Sequence, residues 1–337
     1  MATDTRSATS LVDGFGRGHR ALRVSVTDRC NLRCRYCMPA EGMKWLPREE
    51  ILTDDELVRV VTLMAGLGVQ ELRVTGGEPL VRPGLANLVE RFNAIPGITE
   101  ISLTTNAVLL ADQIDDLVAA GLSRVNVSLD SLDPERFAEI TRRADLHRVL
   151  AGLEACERYP QLRPIKVNAV LLRGLSEPDV MPLAEFARRT PYVVRFIEVM
   201  PLDAPRDWAR QNVLSGAEIR EQINARWPLV SLDRERPSAP GTSWAFADGG
   251  GELQFVSSVT EPFCAACDRL RLTSDGQLRT CLFADTETDL RGPLRSEATD
   301  AELADVVLQA VLAKGPGHGM ADPNWTYTGR PMSMIGG

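Results

Sequence analysis

Six short apolar runs between residues 21 and 201 are separated by amphipathic helical patterns, and this alternation narrows the fold more than any other feature. Residues 21–27, 71–75, 100–105, 124–129, 165–172 and 192–199 read as strands. Thr53-Asp-Asp-Glu56 is a capping box that opens a helix to about Leu67. Pro83 suits the first turn of another, reaching about Ala94. Further helical patterns cover 111–120, 134–140, 146–158 and 179–189. Strands joined through helices pair in parallel, with right-handed crossovers. The expectation is therefore α/β, with a six-stranded parallel sheet that is open or rolled into a whole or partial barrel. Near Arg206 the rhythm breaks. Ser215-Gly-Ala-Glu218 caps one more helix, and loops and short strands such as 252–256 follow. A chain of 337 residues is long for one core. The expected division is a leader at 1–20, a larger unit at 21–206 and a smaller one at 207–337.

Cysteines give this scaffold its chemistry. Directly after the first strand comes Cys30-Asn-Leu-Arg-Cys34-Arg-Tyr36-Cys37. Thiolates suit iron–sulfur clusters, zinc and copper(I). A four-iron cluster held by only three thiolates keeps one iron open, as a catalytic centre requires and a structural one avoids. A zinc knuckle with a fourth ligand from elsewhere, or a loop of free thiols, is the alternative. A second set, Cys264-Ala-Ala-Cys267 with Cys281, repeats the count of three. His318 is the only histidine in that half of the chain, so a zinc site using it stays open. Between the ligands lies Asp268-Arg269-Leu270-Arg271-Leu272. On a strand, Arg269 and Arg271 share a face, and paired guanidiniums match phosphate oxygens. A solvated charged face is the plainer reading. Six of the seven cysteines fall in these two clusters. Clustering of this kind points to metal or redox chemistry in place of disulfides. The seventh, Cys156, sits in a helical pattern and reads as a buried structural thiol.

The formal net charge of −8 argues against a general nucleic-acid binder. No apolar run reaches the roughly 20 residues of a membrane-spanning helix. Residues 1–20 are polar and Gly-rich and lack the apolar core of a signal peptide. They read as a mobile leader in a cytoplasmic protein without nucleic-acid or membrane partners. Gly14-x-Gly16-x-Gly18 precedes a strand and so is not a dinucleotide-binding loop.

The C-x3-C-x-aromatic-C spacing of Cys30, Cys34 and Cys37 resembles the signature of the radical S-adenosylmethionine (SAM) superfamily. Longer stretches resemble the GTP 3′,8-cyclase family of molybdenum cofactor biosynthesis. They are Val26-Thr-Asp-Arg-Cys-Asn-Leu-Arg-Cys-Arg-Tyr-Cys-Met-Pro39, Arg73-Val-Thr-Gly-Gly-Glu-Pro79, Thr104-Thr-Asn106, Asn126-Val-Ser-Leu-Asp130, Lys166-Val-Asn168, Arg195-Phe-Ile-Glu-Val-Met200, Pro262-Phe-Cys-Ala-Ala-Cys-Asp-Arg-Leu-Arg271 and Gly336-Gly337. The second triad, its Arg-x-Arg and the double-glycine end single out this family. Ala107 departs from it, standing where Gly commonly follows Thr-Asn.

This resemblance implies a partial (β/α)6 TIM-like barrel with a smaller C-terminal domain carrying a second iron–sulfur cluster. It implies a [4Fe–4S] cluster on Cys30, Cys34 and Cys37 that binds SAM, and a second on Cys264, Cys267 and Cys281 that meets the guanine base. Tyr36, Gly77, Ser128 and Met200 match SAM contacts. Arg23, Arg73, Thr104, Lys166, Arg195, Arg269, Leu270, Arg271, Gly336 and Gly337 match positions that serve GTP, and the first triad with Arg269 and Arg271 would carry the reaction. In the family a 5′-deoxyadenosyl radical takes hydrogen from C3′ of GTP, and C3′ bonds to C8. The product is 3′,8-cyclo-7,8-dihydro-GTP, passed to cyclic pyranopterin monophosphate synthase. An electron donor such as flavodoxin or ferredoxin is implied, and the family often forms homodimers. The alternatives from other classes are a radical SAM enzyme acting on a peptide and a zinc-stabilised binding module.

Overall fold

The computed structural model describes residues 10–203, 208–321, 325, 327 and 329–336. Among these residues twelve strands form one sheet. They are β1 (Ala21–Ser25), β2 (Glu71–Thr75), β3 (Glu100–Thr105), β4 (Arg124–Ser128), β5 (Lys166–Leu171), β6 (Val193–Glu198), β7 (Leu229–Ser231), β8 (Thr242–Phe246), β9 (Glu252–Val256), β10 (Arg269–Leu272), β11 (Gln277–Arg279) and β12 (Thr288–Asp289). Strands β1 to β6 lie side by side in chain order, all parallel, as the helical crossovers demand. The later strands extend both edges: β9 pairs parallel to β6 and β10 parallel to β1. Antiparallel strands complete the order β12-β11-β10-β1-β2-β3-β4-β5-β6-β9-β8-β7. The edge strands β12 and β7 do not pair, so the (β/α)6 barrel is partial and its sheet is not closed.

Alternation along the strands decides which side chains meet the helices. In β1 and β2, Leu22, Val24, Leu72 and Val74 are buried with Leu57, Val61 and Met64 of the helix Asp54–Gly66. Burying each such side chain is worth about 1.5–3 kcal/mol. That fixes the register of the faces, and with it Arg23 and Arg73 point to the opposite side. The same core runs through Leu253, Phe255 and Leu270 on β9 and β10 and through Leu303, Val307 and Val311 of the helix Asp300–Leu312. The chain after residue 207 thus adds to the first core and forms a second cluster around Phe283, Met320 and Ile335 together with Val199 and Leu202.

Both capping boxes read from the sequence are formed, Thr53 with Glu56 and Ser215 with Glu218. The helix expected from Pro83 instead begins at Leu85, because Gly84 before it takes a left-handed φ of 73°. The expected mobile leader is corrected for residues 10–20. Leu11 is buried in the core, Val12 bridges Gly18, and the Leu11 amide donates to the Leu67 carbonyl at 3.1 Å. An apolar residue with its backbone paired in this way is part of the fold. Residues 1–9 lie outside the described set.

Candidate active site

The first cysteine loop leaves β1 and is stitched down on all sides. The Arg33 guanidinium donates to the Cys30 and Leu32 carbonyls at 2.7 and 2.8 Å. Arg142 donates to the Arg33 and Met38 carbonyls at 2.7 and 3.0 Å. Gly77 explains how close the neighbouring loop comes. A Cβ there would lie 2.4 Å from the Arg29 carbonyl oxygen and 2.6 Å from that of Asp28. Its missing side chain therefore admits the backbone of the cysteine loop itself. Glu78 next to it accepts from the Thr105 hydroxyl at 2.6 Å and the Asn106 amide at 2.7 Å, tying the end of β3 to the same place. Asn106 in turn donates to Asn31 at 2.7 Å and approaches the Cys30 sulfur at 3.8 Å. Ala107 holds a left-handed φ of 60° where the family pattern has glycine. Gly152 makes the room, since a Cβ on it would stand 2.7 Å from the Ala107 carbonyl oxygen.

Burial governs the electrostatics at this end. It pushes the Cys30 thiol up to about 11, helped by Glu78, and Cys37 up to about 12. Burial also raises Glu78 to about 7 and Asp130 to about 6. Asp130 accepts from the Tyr36 hydroxyl at 2.7 Å and from the Val170 amide at 2.8 Å. The sequence motif contained both carboxylates, but nothing in its spacing gave them partners.

Above the sheet lies an open cavity of about 1350 Å³, its mouth included. Tyr36, Ser128, Asp130 and Met200 line it on the side of the first triad. Cys264, Cys267 and Cys281 line the other side, with Phe283 and His318. Arg23, Arg73, Arg195, Arg269, Arg271, Thr104 and Asn168 also line it. Strand register explains the convergence. Arg23 on β1 is level with Arg73 on β2 and with Arg271 on β10.

These cations lack ordinary partners. Arg195 donates to the neutral Gln254 carbonyl at 3.0 and 2.9 Å. Among the described residues Arg73 reaches only Ser102, at 3.4 Å, and Arg269 lies over the Phe263 ring at 4.6 Å with its Nη2 buried and unpaired. Arg271 donates to the Gly336 carbonyl at 2.5 Å. Arg23 is driven down first by burial and then by Arg271, Arg73, Arg269 and Arg195. Among the described residues none of these five guanidiniums has a carboxylate in salt-bridge contact. Glu198, one alternative counter-ion, is committed to the Gly216, Val259 and Thr260 amides.

The other expected contacts fall as follows. Lys166 does not line the cavity in this state; it pairs with Glu235 at 3.1 Å. The Leu270 side chain is fully buried in the core, so β10 turns it away from the cavity while presenting Arg269 and Arg271. Gly336 lies against β1 and β2, where a Cβ would meet Ser25 and Thr75 at 3.0 Å. Gly337 is outside the described residues. Cys156 is fully buried, as its helix pattern implied.

Family models match in two stretches, the radical SAM superfamily over residues 24–187 and Molybdenum Cofactor Synthesis C over residues 192–320. A GTP 3′,8-cyclase of Streptomyces coelicolor is 49% identical over 97% of this chain and 96% of its own. One from Mycolicibacterium smegmatis is 47% identical, over 97% and 92%. The chain belongs to the GTP 3′,8-cyclase family. Like other members of this family it is a radical SAM enzyme, and the superfamily implies a [4Fe–4S] cluster and SAM. Among solved structures it resembles Streptococcus suis SuiB bound to S-adenosylmethionine, at 14% identity, a TM-score of 0.55, and coverage of 86% of this chain and 68% of that one. Methylornithine synthase is similar at 15% identity, a TM-score of 0.53 and coverage of 86% of each chain. At those identities the likeness concerns the fold. The GTP 3′,8-cyclase donor set fits an iron–sulfur cluster at the first triad. Cys34 lies within electrostatic reach of both Cys30 and Cys37 on a half-buried loop, and Cys30 already receives the Leu32 amide at 3.4 Å. Among the described residues no three Cys, His, Asp or Glu side chains converge on a single ion. A multi-iron cluster spreads its ligands and does not ask them to.

Proposed function

We propose that this chain converts GTP to 3′,8-cyclo-7,8-dihydro-GTP, the first step of molybdenum cofactor biosynthesis. One observation carries the reading: a single cavity joins the first triad's surroundings, the second triad and five guanidiniums that have no carboxylate partner among the described residues. When bound at Cys30, Cys34 and Cys37, the reduced cluster and SAM supply hydrogen-atom abstraction. The chain's own residues bind and hold. Tyr36, Ser128 and Met200 line the cosubstrate end, with Gly77 shaping the loop that carries the cysteines. Asp130 fixes the Tyr36 ring through its hydroxyl.

Arg23, Arg73, Arg195, Arg269 and Arg271 take the triphosphate, whose charge relieves their mutual repulsion. Thr104 and Asn168 have buried oxygens without partners, ready for ribose or base donors. Lys166 joins the phosphate set once Glu235 is displaced. Cys264, Cys267 and Cys281 hold a second [4Fe–4S] cluster at the base end, and Arg269 and Lys314 keep Cys267 down at about 7 despite its burial. The carbonyl of Gly336 orients Arg271. Fixing the ribose between two ends of one cavity confines a reactive radical to a single C–H bond.

In this reading residues 21–206 form the radical SAM barrel, which holds the cosubstrate and supplies Arg23, Arg73 and Arg195 to GTP, and residues 207–337 add the second triad with Arg269 and Arg271. The enzyme works in the cytoplasm, takes its electron from a flavodoxin or ferredoxin, and hands its product to cyclic pyranopterin monophosphate synthase. No helix among the described residues is long and apolar enough to cross a membrane. Action on a peptide gains nothing from so cationic a lining. The test is anaerobic reconstitution with iron and sulfide, followed by GTP, SAM and dithionite. A cyclised nucleotide with 5′-deoxyadenosine is expected. Cleaved SAM with GTP returned intact would overturn the assignment.

A further inference from the structure

A polar assembly beside the cavity ties the N-terminal segment to the second cysteine triad. Lys314, just past the helix Asp300–Leu312, is only 5% exposed. Its ammonium has three protons and, among the described residues, three acceptors: the Arg269 carbonyl at 3.1 Å, His19 Nδ1 at 3.5 Å and the Cys267 sulfur at 3.7 Å. His19, 2% exposed, turns its Nε2 to Asp13 Oδ2 at 3.0 Å. An ionised carboxylate only accepts, so Nε2 carries the proton and Nδ1 is left to receive Lys314. Arg17 braces the same Asp13 oxygen at 2.6 Å and donates to the Cys264, Gly315 and Pro316 carbonyls at 2.9, 2.6 and 2.8 Å. Residues 10–20 therefore clasp the cysteine loop and the turn after that helix together.

An anchoring lysine needs only carbonyls. This one spends its third proton on a ligand sulfur, at the end of an Asp13–His19 chain to which the proposed reaction gives no role. We infer that Lys314 is the positioning residue of the second triad: aimed by the Asp13–His19 pair, it donates to the Cys267 sulfur, fixing that ligand and drawing charge from the cluster it holds. The inference rests on the second triad being a cluster site. Hydrogen bonds and positive charge at a ligand sulfur favour the reduced, more negative cluster and raise its potential.

The experiment uses the full chain carrying Cys30→Ala, Cys34→Ala and Cys37→Ala, reconstituted anaerobically so that any iron–sulfur signal comes from the second triad. Iron and sulfide content, the electron paramagnetic resonance spectrum and the midpoint potential are read with Lys314 intact, then in Lys314→Met, Lys314→Gln and Lys314→Arg. A more negative potential and altered spectrum in Lys314→Met, largely restored by arginine, are expected, with glutamine between. Loss of iron from Lys314→Met at unchanged melting temperature supports the same role. If Lys314→Met fails to fold, the glutamine and arginine variants decide by the same readouts. Unchanged potential and spectrum in whichever of Lys314→Met and Lys314→Gln folds overturn the inference while the cluster stands. Absence of iron and sulfide with Lys314 intact overturns the cluster reading itself.

Discussion

The two cysteine triads carry the same number of thiols in opposite surroundings. The first is lodged beside carboxylates: Glu78 acts on Cys30, and Asp130 acts on Cys34 and holds Tyr36. Its thiols and both acids are pushed up by burial. The second lies among cations, where Arg269 and Lys314 hold Cys267 at about 7 although burial opposes them. One cavity separates them, so what binds at each end is selected by field as much as by shape. An acid-lined end favours a ligand bearing a sulfonium and an amine. A guanidinium-lined end favours a triphosphate.

The sharpest way to break this contrast is to empty each triad in turn. Replacing Cys30, Cys34 and Cys37 by Ala is expected to abolish 5′-deoxyadenosine formation, assayed anaerobically, while GTP still binds. Replacing Cys264, Cys267 and Cys281 should leave SAM binding in place and abolish the cyclised nucleotide. Identical losses of both ligands from both triple variants would erase the distinction.

Next in size are the guanidiniums. Each charge-assisted hydrogen bond is worth about 1.5–3 kcal/mol. Arg269→Ala and Arg271→Ala should therefore weaken GTP roughly 10- to 100-fold by calorimetry, with iron content unchanged and guanosine binding almost unaffected. Equal weakening of guanosine would move these residues from phosphate to base.

The acids give a pH signature in the iron-free, reduced chain. Glu78 is raised from 4.5 to about 7 by burial, so its protonated form favours the folded state. That contribution is complete below pH 4.5 and is lost as pH climbs through about 7. It amounts to about 3 kcal/mol over the window. Urea unfolding of the chain and of Glu78→Gln at pH 5 and pH 8 should show the native slope reduced by the substitution. A native chain that gains stability relative to Glu78→Gln as pH rises would contradict the assignment of sign.

The smallest effect concerns the C-terminal segment. Gly336 has a φ of 90°, and a Cβ would meet Ser25 and Thr75 at 3.0 Å. Gly336→Ala should cost about 1–3 kcal/mol of docking, read as faster carboxypeptidase trimming and weaker GTP binding. Unaltered trimming and affinity would show that the contact with Arg271 does nothing for the substrate end.

Much of this was legible before any coordinates. Period-two and period-3.6 patterns located β1 to β6, because burial on one face is a local property of the sequence. Cysteine spacing located both triads, because a loop must present several thiolates at once. The motif Asn126–Asp130 was visible, yet the grip of Asp130 on Tyr36 was not, since 94 positions separate the two partners. Alternation put Arg269 and Arg271 on one face and Leu270 on the other, but a solvated face remained open, and only the folded cavity brings the pair into its lining while Leu270 goes to the core.

Sequence alone determined the parallel βα framework, the two three-thiol sets and the face on which the strand cations lie, all consequences of local periodicity and spacing. Only the tertiary structure decided that β10 joins β1 in parallel, that residues 10–20 reach back to Lys314 and the second triad, and that Glu235 covers Lys166. Those pairings are chosen by the free energy of burying a shared core and satisfying buried charges over hundreds of residues, and no short stretch of chain encodes that sum.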